Sequence, residues 1–229
     1  LKLLNILLTL VTSLGSVMLP RVSNLLSSGN QKAVNKLHEM SFLVYNLVIF
    51  PMIAGILIVN KDFVQFFLGQ DFQDAHYAIA IMVFRMFFIG WTNIMGIQIL
   101  ILHNRNREFM LSTTIPAVFS VGLNLLLIPP LGYIGASIVS VATEGLVWLI
   151  QLYFTRSYLK EIKILPSMLK IFLAALLMYS ALYSVQAFIH FSSVVNVLIY
   201  AVLGFLVYGG LVLVLRILDF QELKSVLKK

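Results

Sequence analysis

Seven stretches of about twenty mostly apolar residues run through the chain, at roughly 1–20, 41–60, 77–102, 109–130, 134–154, 167–189 and 193–216. A helix needs about 20 such residues to cross the hydrocarbon core of a bilayer. None of the stretches alternates between apolar and polar like a barrel strand, so backbone groups in lipid must be satisfied within each segment. The pattern therefore predicts an all-α polytopic transmembrane bundle of about seven spans.

The polar residues inside these stretches recur at helical spacing. At 100° per residue, Asn5, Thr9, Thr12 and Ser16 share a sector of the first span. Arg85, Thr92 and Gly96 align in the third, with Asn93 beside them. Thr113, Ser120 and Asn124 align in the fourth, and Ser137, Ser140, Glu144 and Gln151 in the fifth. The last two spans show less polar alignment, and no intramembrane charge beyond Lys170 at one end. Small and hydroxylated residues serve helix packing in membranes, and that accounts for Thr12, Ser137 and Ser140. It does not account for Arg85 and Glu144, because a charge near the bilayer centre costs at least roughly 2.5–3.5 kcal/mol. Arg85 lies about 12 Å into its span and Glu144 about 15 Å into its own, both counted from the same side. At similar depth they are expected either to pair or to line one aqueous cavity. Arg85, Thr92, Asn93, Asn124 and Glu144 are the candidate cavity residues.

Basic residues orient the spans. Arg21, Lys32 and Lys36 fall in one connection, Arg105 and Arg107 in another, and Arg156, Lys160, Lys163 and Lys170 in a third. The tail carries Arg216, Lys224, Lys228 and Lys229. The intervening connections are poor in Lys and Arg, so the rich ones and the C-terminus are expected to be cytoplasmic. Leu1 is then outside, and an odd number of spans is expected upstream. The sequence is read as the C-terminal part of a longer protein.

Composition agrees. The chain of 229 residues is 60% hydrophobic and 11% charged, with a net charge of +7. Basic loops against an anionic leaflet explain that charge, and no basic cluster interleaved with aromatics points to nucleic acid. With no cysteine there is neither a disulfide nor a thiolate metal site, and the four histidines lack ligand spacing. No cofactor or metal is expected. The external carboxylates Asp62, Asp71 and Asp74 have no basic or metal-ligating partner, which argues against an enzyme.

Local signals predict shorter features. SSGNQ (27–31) reads as a turn and QKAVNKLHEM after it as a short surface helix. DFVQFFLG (62–69) reads as an interfacial helix, with Asp62 as N-cap and Gly69 as its stop. Pro51 and Pro116 fall inside spans and are the kink or hinge candidates.

Three stretches carry a resemblance: VMLPRVSNLLSSGNQKAV, FLGQDFQDAHYAIAIMVFRMFFIGWTNIMGIQILILHNRNREF and LNLLLIPPLGYIGASIVSVATEGLVWL. They resemble the polysaccharide-transporter family, the Wzx-type flippases of lipid-linked oligosaccharide repeat units, in the superfamily of MATE drug exporters and lipid II flippases. Pro20, Arg21, Ser23 and Gly29 match one family element. Gly69 and Gly96-Ile97-Gln98-Ile99-Leu100 match another. Asn124, Ile128, Pro129, Gly132, Gly135 and Ala136 match a hairpin, and Glu144 falls where the family often has an acidic residue. Arg85 departs from the more apolar residue of the family pattern.

The resemblance implies about fourteen helices, in two pseudo-symmetric bundles with the two extra helices at the end, so that this sequence would be spans eight to fourteen. Residues 1–156 would be the C-terminal bundle, and 157–229 the two additional peripheral helices and cytoplasmic tail. It also implies alternating access for undecaprenyl-diphosphate-linked oligosaccharide across a bacterial plasma membrane, for capsule or surface polysaccharide. Partners would be that substrate, membrane lipids, the N-terminal half of the same protein and the polysaccharide polymerase machinery. Glu144 would be the proton-coupling candidate. The competing readings are a MATE-like drug or cation exporter and, further off, a membrane enzyme of polysaccharide assembly.

Overall fold

The computed structural model describes residue 9, residues 18–187 and residues 192–217. Asn5, Thr12 and Ser16 of the first stripe, His190 and the tail lysines lie outside the described residues. Every regular element among the described residues is helical. Five helical segments are long and apolar enough to cross a membrane: Gln31–Leu68, Ala75–Ile101, Asn106–Leu159, Leu165–Gln186 and Ser193–Val214. The chain is an all-α, multi-pass membrane protein.

Helix α1 (Gln31–Leu68) joins three features that the sequence separates. The expected surface helix at 31–40, the span 41–60 and the expected interfacial helix at 62–69 are one continuous element. Asp62 is therefore not an N-cap. It lies within α1, where its Oδ1 accepts a hydrogen bond from Asn196 Nδ2 at 3.2 Å. That partner removes the reason for the chain to turn at Lys61–Asp62. Gly69 does end the helix, at φ 84°. Pro51 sits inside α1 and takes the amide donor away from the Leu47 carbonyl.

The expected span 77–102 is present but is wound unevenly. Helix α2 (Ala75–Met82) gives way to bonds of the tighter i→i+3 type, Phe84 N to Ile81 O, Met86 N to Val83 O and Phe87 N to Phe84 O. Helix α3 (Arg85–Thr92) follows, and then a π-helix over Asn93–Ile101. The segment is overwound around Arg85 and underwound after Thr92. A uniform 100° step therefore misplaces the residues beyond Asn93.

Helix α4 (Asn106–Leu159) breaks at Gly132, with φ 53° and ψ −130°. This backbone region is open to glycine and closed to residues with a Cβ. Pro129 and Pro130 just before it remove two further amide donors. The break makes a helical hairpin. A Cβ on Gly135 would run into the Leu127 carbonyl, and Gln151 on the second arm reaches Ser112 on the first (3.1 Å). The arms thus run back along each other, as the expected spans 109–130 and 134–154 require. Gly132→Ala is expected to destabilise the fold by about 1–3 kcal/mol. A thermal melt in detergent unchanged from wild type would contradict the strained turn.

Helices α5 (Leu165–Gln186) and α6 (Ser193–Val214) complete the order. The chain forms two compact units: 1–49 with 74–164, and 50–73 with 165–229. In the second unit Ala54, Ile58, Met178, Leu182 and Tyr200 make the core. Ser193 Oγ to Gln65 Oε1 (3.1 Å) ties α6 to α1 within that unit. Its apolar core agrees with the weak polar striping of the last two spans.

Candidate functional site

Arg85 opens α3 just after the tightened turn, and Glu144 lies on the second arm of α4, twelve residues past the Gly132 break. Arg85 Nε and Nη2 both donate to Glu144 Oε1, at 3.2 and 3.0 Å. Arg85 Nη1 and Glu144 Oε2 take no part in the pair. The side chains are 30% and 21% exposed, so the pair is accessible from outside the packed bundle. Within these apolar helices each charge supplies the other with the counter-charge that lipid could not.

Aromatic rings back the pair. Trp148, one turn beyond Glu144, lies 5.8 Å from Phe88 and 6.2 Å from Trp91, centroid to centroid. Gly145 beside Glu144 faces the Phe88 ring, at a distance where a Cβ would make ordinary contact. The Trp148 Nε1 hydrogen is buried with no acceptor.

The other candidates are held differently. Thr92 Oγ1 donates to the Ile89 carbonyl of its own helix at 3.1 Å. Asn124 Nδ2 donates to the Ser120 carbonyl at 2.8 Å. Asn93 is half-buried at the start of the π-helix. Pro116 is buried within the first arm of α4. Direct contact among the five cavity candidates is shown for Arg85 and Glu144.

A second polar constellation was missed by sequence reasoning. His38, Ser41 and Tyr45, at i, i+3 and i+7 on α1, are 1%, 5% and 2% exposed. With Asn46 they form a buried seam against α3 and the π-helix. Ser41 Oγ donates to Gln98 Oε1 (3.1 Å), and Trp91 Nε1 donates to Asn46 Oδ1 (3.0 Å). Gly90 lies directly under the Tyr45 ring. The helical spacing of His38, Ser41 and Tyr45 was a usable signal. It was lost because the span was started at residue 41 and QKAVNKLHEM was assigned to the surface.

No family model matches the chain. An uncharacterised membrane protein of Methanocaldococcus jannaschii is 25% identical over 229 residues, which is 98% of this chain and 44% of that protein. A structure of the lipid II flippase MurJ in an inward closed conformation superposes with a TM-score of 0.79. The two share a fold. Identity to it is 17%, over 92% of this chain and 44% of the flippase. The chain thus spans less than half the length of either of these two proteins. Nothing in these likenesses bears on where Arg85 or Glu144 act.

Proposed function

We propose that this chain is part of a flippase that moves a lipid-linked, sugar-bearing anion across a membrane by alternating access. The observation that carries this reading is the partly exposed Arg85–Glu144 pair within two apolar helical segments, in a fold shared with a lipid II flippase. A guanidinium offers planar donors suited to phosphate oxygens, and its unused Nη1 edge is available without breaking the pair. Thr92, Asn93 and Asn124 supply polar groups for sugar hydroxyls. Pro51 and Pro116 mark places where helices bend as one bundle moves against another.

The finer reading follows the family resemblance: the substrate is an undecaprenyl-diphosphate-linked oligosaccharide repeat unit. Residues 1–156 then belong to the C-terminal bundle of the transporter, and 157–229 add two peripheral helices and a cytoplasmic tail. Surface polysaccharide assembly is the process served, with the polymerase machinery downstream. Glu144 carries a proton when it is released from Arg85. Transport indifferent to an imposed proton gradient would remove that last role.

The test uses the complete protein in liposomes loaded with a fluorescent undecaprenyl-diphosphate oligosaccharide in the inner leaflet. Appearance of the label at the outer surface, at a rate above protein-free vesicles, is the expected result. A rate equal to the protein-free control, with efflux of a cationic dye instead, would overturn the reading in favour of an exporter.

A further inference from the structure

We propose that the second arm of α4 carries a site for one anionic phospholipid of the surrounding bilayer, with its phosphate on Arg156 and Lys160 and an acyl chain along Tyr153 and Leu149. The site does not rest on the flippase reading.

The second arm is exposed along a single stripe. From Ile134 to the closing residue Lys160, the exposed positions are Ile138, Ala142, Leu149, Tyr153, Arg156 and Lys160, with Ser157 at the border. At 100° per residue those six fall within a sector of about 60°. Glu144 lies about 150° around the helix from the middle of that sector, on the side that meets Arg85. Gln151, which reaches Ser112 on the first arm, lies nearly opposite the stripe. The arm therefore turns its polar interior residues toward protein and one line of side chains away from it.

The chemistry changes in order along that line. Ile138, Ala142 and Leu149 are apolar, Tyr153 is an amphipathic ring, and Arg156 and Lys160 are cations. Leu149 and Tyr153 are each more than half exposed. The Arg156 guanidinium carbon stands 4.6 Å from the centroid of the Tyr153 ring. Stacking of this kind fixes the guanidinium beside the ring and uses none of its N–H donors. Neither Arg156 nor Lys160 has a carboxylate partner among the described residues. The neighbouring carboxylates are held by other groups. Glu161 Oε2 accepts from Asn35 Nδ2 at 2.7 Å, and Glu39 Oε1 accepts the Lys163 amide at 2.8 Å. Glu108 is paired with Arg105, whose Nη1 also donates to the Phe154 carbonyl.

An apolar line that ends in a ring and two open cations complements an anion with an apolar tail. A guanidinium and an ammonium suit phosphate oxygens, and a tyrosine suits the boundary between headgroups and acyl chains. The length fits as well. One leaflet contributes about 15 Å of hydrocarbon, which is about ten residues of helix, so a chain that starts at Arg156 passes Tyr153 and Leu149 and ends near Leu146. A soluble phosphate would use the cations and leave the apolar line uncovered. A second copy packed on this stripe about an axis along the membrane normal would bring like charges to the same level.

The test is native mass spectrometry of the complete protein in detergent, titrated with dioleoyl-phosphatidylglycerol or dioleoyl-phosphatidylcholine. The expected result is one phosphatidylglycerol bound roughly tenfold or more tightly than phosphatidylcholine. Arg156→Gln combined with Lys160→Gln should remove that preference. Both residues are exposed, so near-UV circular dichroism should match wild type. Tyr153→Ala keeps the cations, loses the ring and should fall between the two. The control is Lys32→Gln with Arg107→Gln, which removes two other exposed cations and should keep the preference. An equal loss in the control would show diffuse attraction to a basic surface and overturn the site. A preference that survives in the Arg156 and Lys160 double variant also overturns it. A wild type with no preference, as monomer or dimer, overturns it because the stripe is then covered by protein. Undecaprenyl diphosphate bound tenfold more tightly than phosphatidylglycerol through the same two residues assigns the stripe to the transported lipid and overturns it too.

Discussion

Arg85→Ala, in the complete protein and expressed to the wild-type level, is expected to slow translocation of the diphosphate-linked oligosaccharide roughly 10- to 100-fold. A hydrogen bond to a charged group contributes about 1.5–3 kcal/mol, and each 1.4 kcal/mol is about tenfold. The same variant strands Glu144 at mid-depth without its counter-charge. Full burial would make that cost about 3–5 kcal/mol, and the 21% exposure of Glu144 reduces it. Stability and transport must therefore be read separately. Arg85→Met combined with Glu144→Leu removes both charges and should recover most of the stability, because an ion pair replaced by apolar groups of similar size is often neutral. It should not recover transport. Arg85→Lys keeps the charge, loses the planar fork and should fall between the two. Transport regained by the uncharged double variant would show that the pair is structural and that the substrate's phosphates are bound elsewhere.

Gly90→Ala should destabilise the first unit by about 1–3 kcal/mol. The added Cβ would overlap the Tyr45 ring and lie 2.6 Å from Ile49 Cδ1. Tyr45 is 2% exposed, so its ring has no solvent-filled space to swing into. The matching control is Gly55→Ala. There the new Cβ meets nothing within 4 Å and the helix gains about 1 kcal/mol of propensity. Opposite signs for two Gly→Ala changes, measured by chemical unfolding in detergent, are the expected outcome. Equal effects would mean that α3 is not packed on α1 at Gly90. Tyr45→Leu in the Gly90→Ala background should restore part of the loss by making room for the methyl group.

The regions where sequence reasoning succeeded are those where lipid sets the rule. An apolar run of about twenty residues has one stable form in hydrocarbon, so the helices on either side of Gly132 were legible in advance. So was the hairpin, from the short turn between the two spans and from the family resemblance carried by Pro129 and Gly132. The Arg85–Glu144 pair was legible because two charges at similar depth have few other ways to be tolerated. Elsewhere the rule is weaker. Lys61 and Asp62 look like the end of a span, yet α1 continues to Leu68, and within it the Asp62 carboxylate accepts a hydrogen bond from Asn196. No spacing within 41–69 encodes a partner that lies more than a hundred residues away. The π-helix at Asn93–Ile101 was equally hidden. Its side chains fit an α-helix as well, and only the packing of Gln98 on Ser41 and of Gly96 against Phe109 and Gln151 selects the wider winding.

Composition and periodicity by themselves determined that this is a helical membrane protein, about where its spans lie, and that two opposite charges share a depth. They could do so because burial of apolar surface and internal satisfaction of the backbone depend on local sequence. Tertiary structure alone decided that Arg85 grips a single oxygen of Glu144. It also decided that α1 runs unbroken from Gln31 to Leu68, and that Ser41 on α1 meets Gln98 on the π-helix. Those outcomes turn on which side chains face one another across helices, and the chain carries that information only once it is folded.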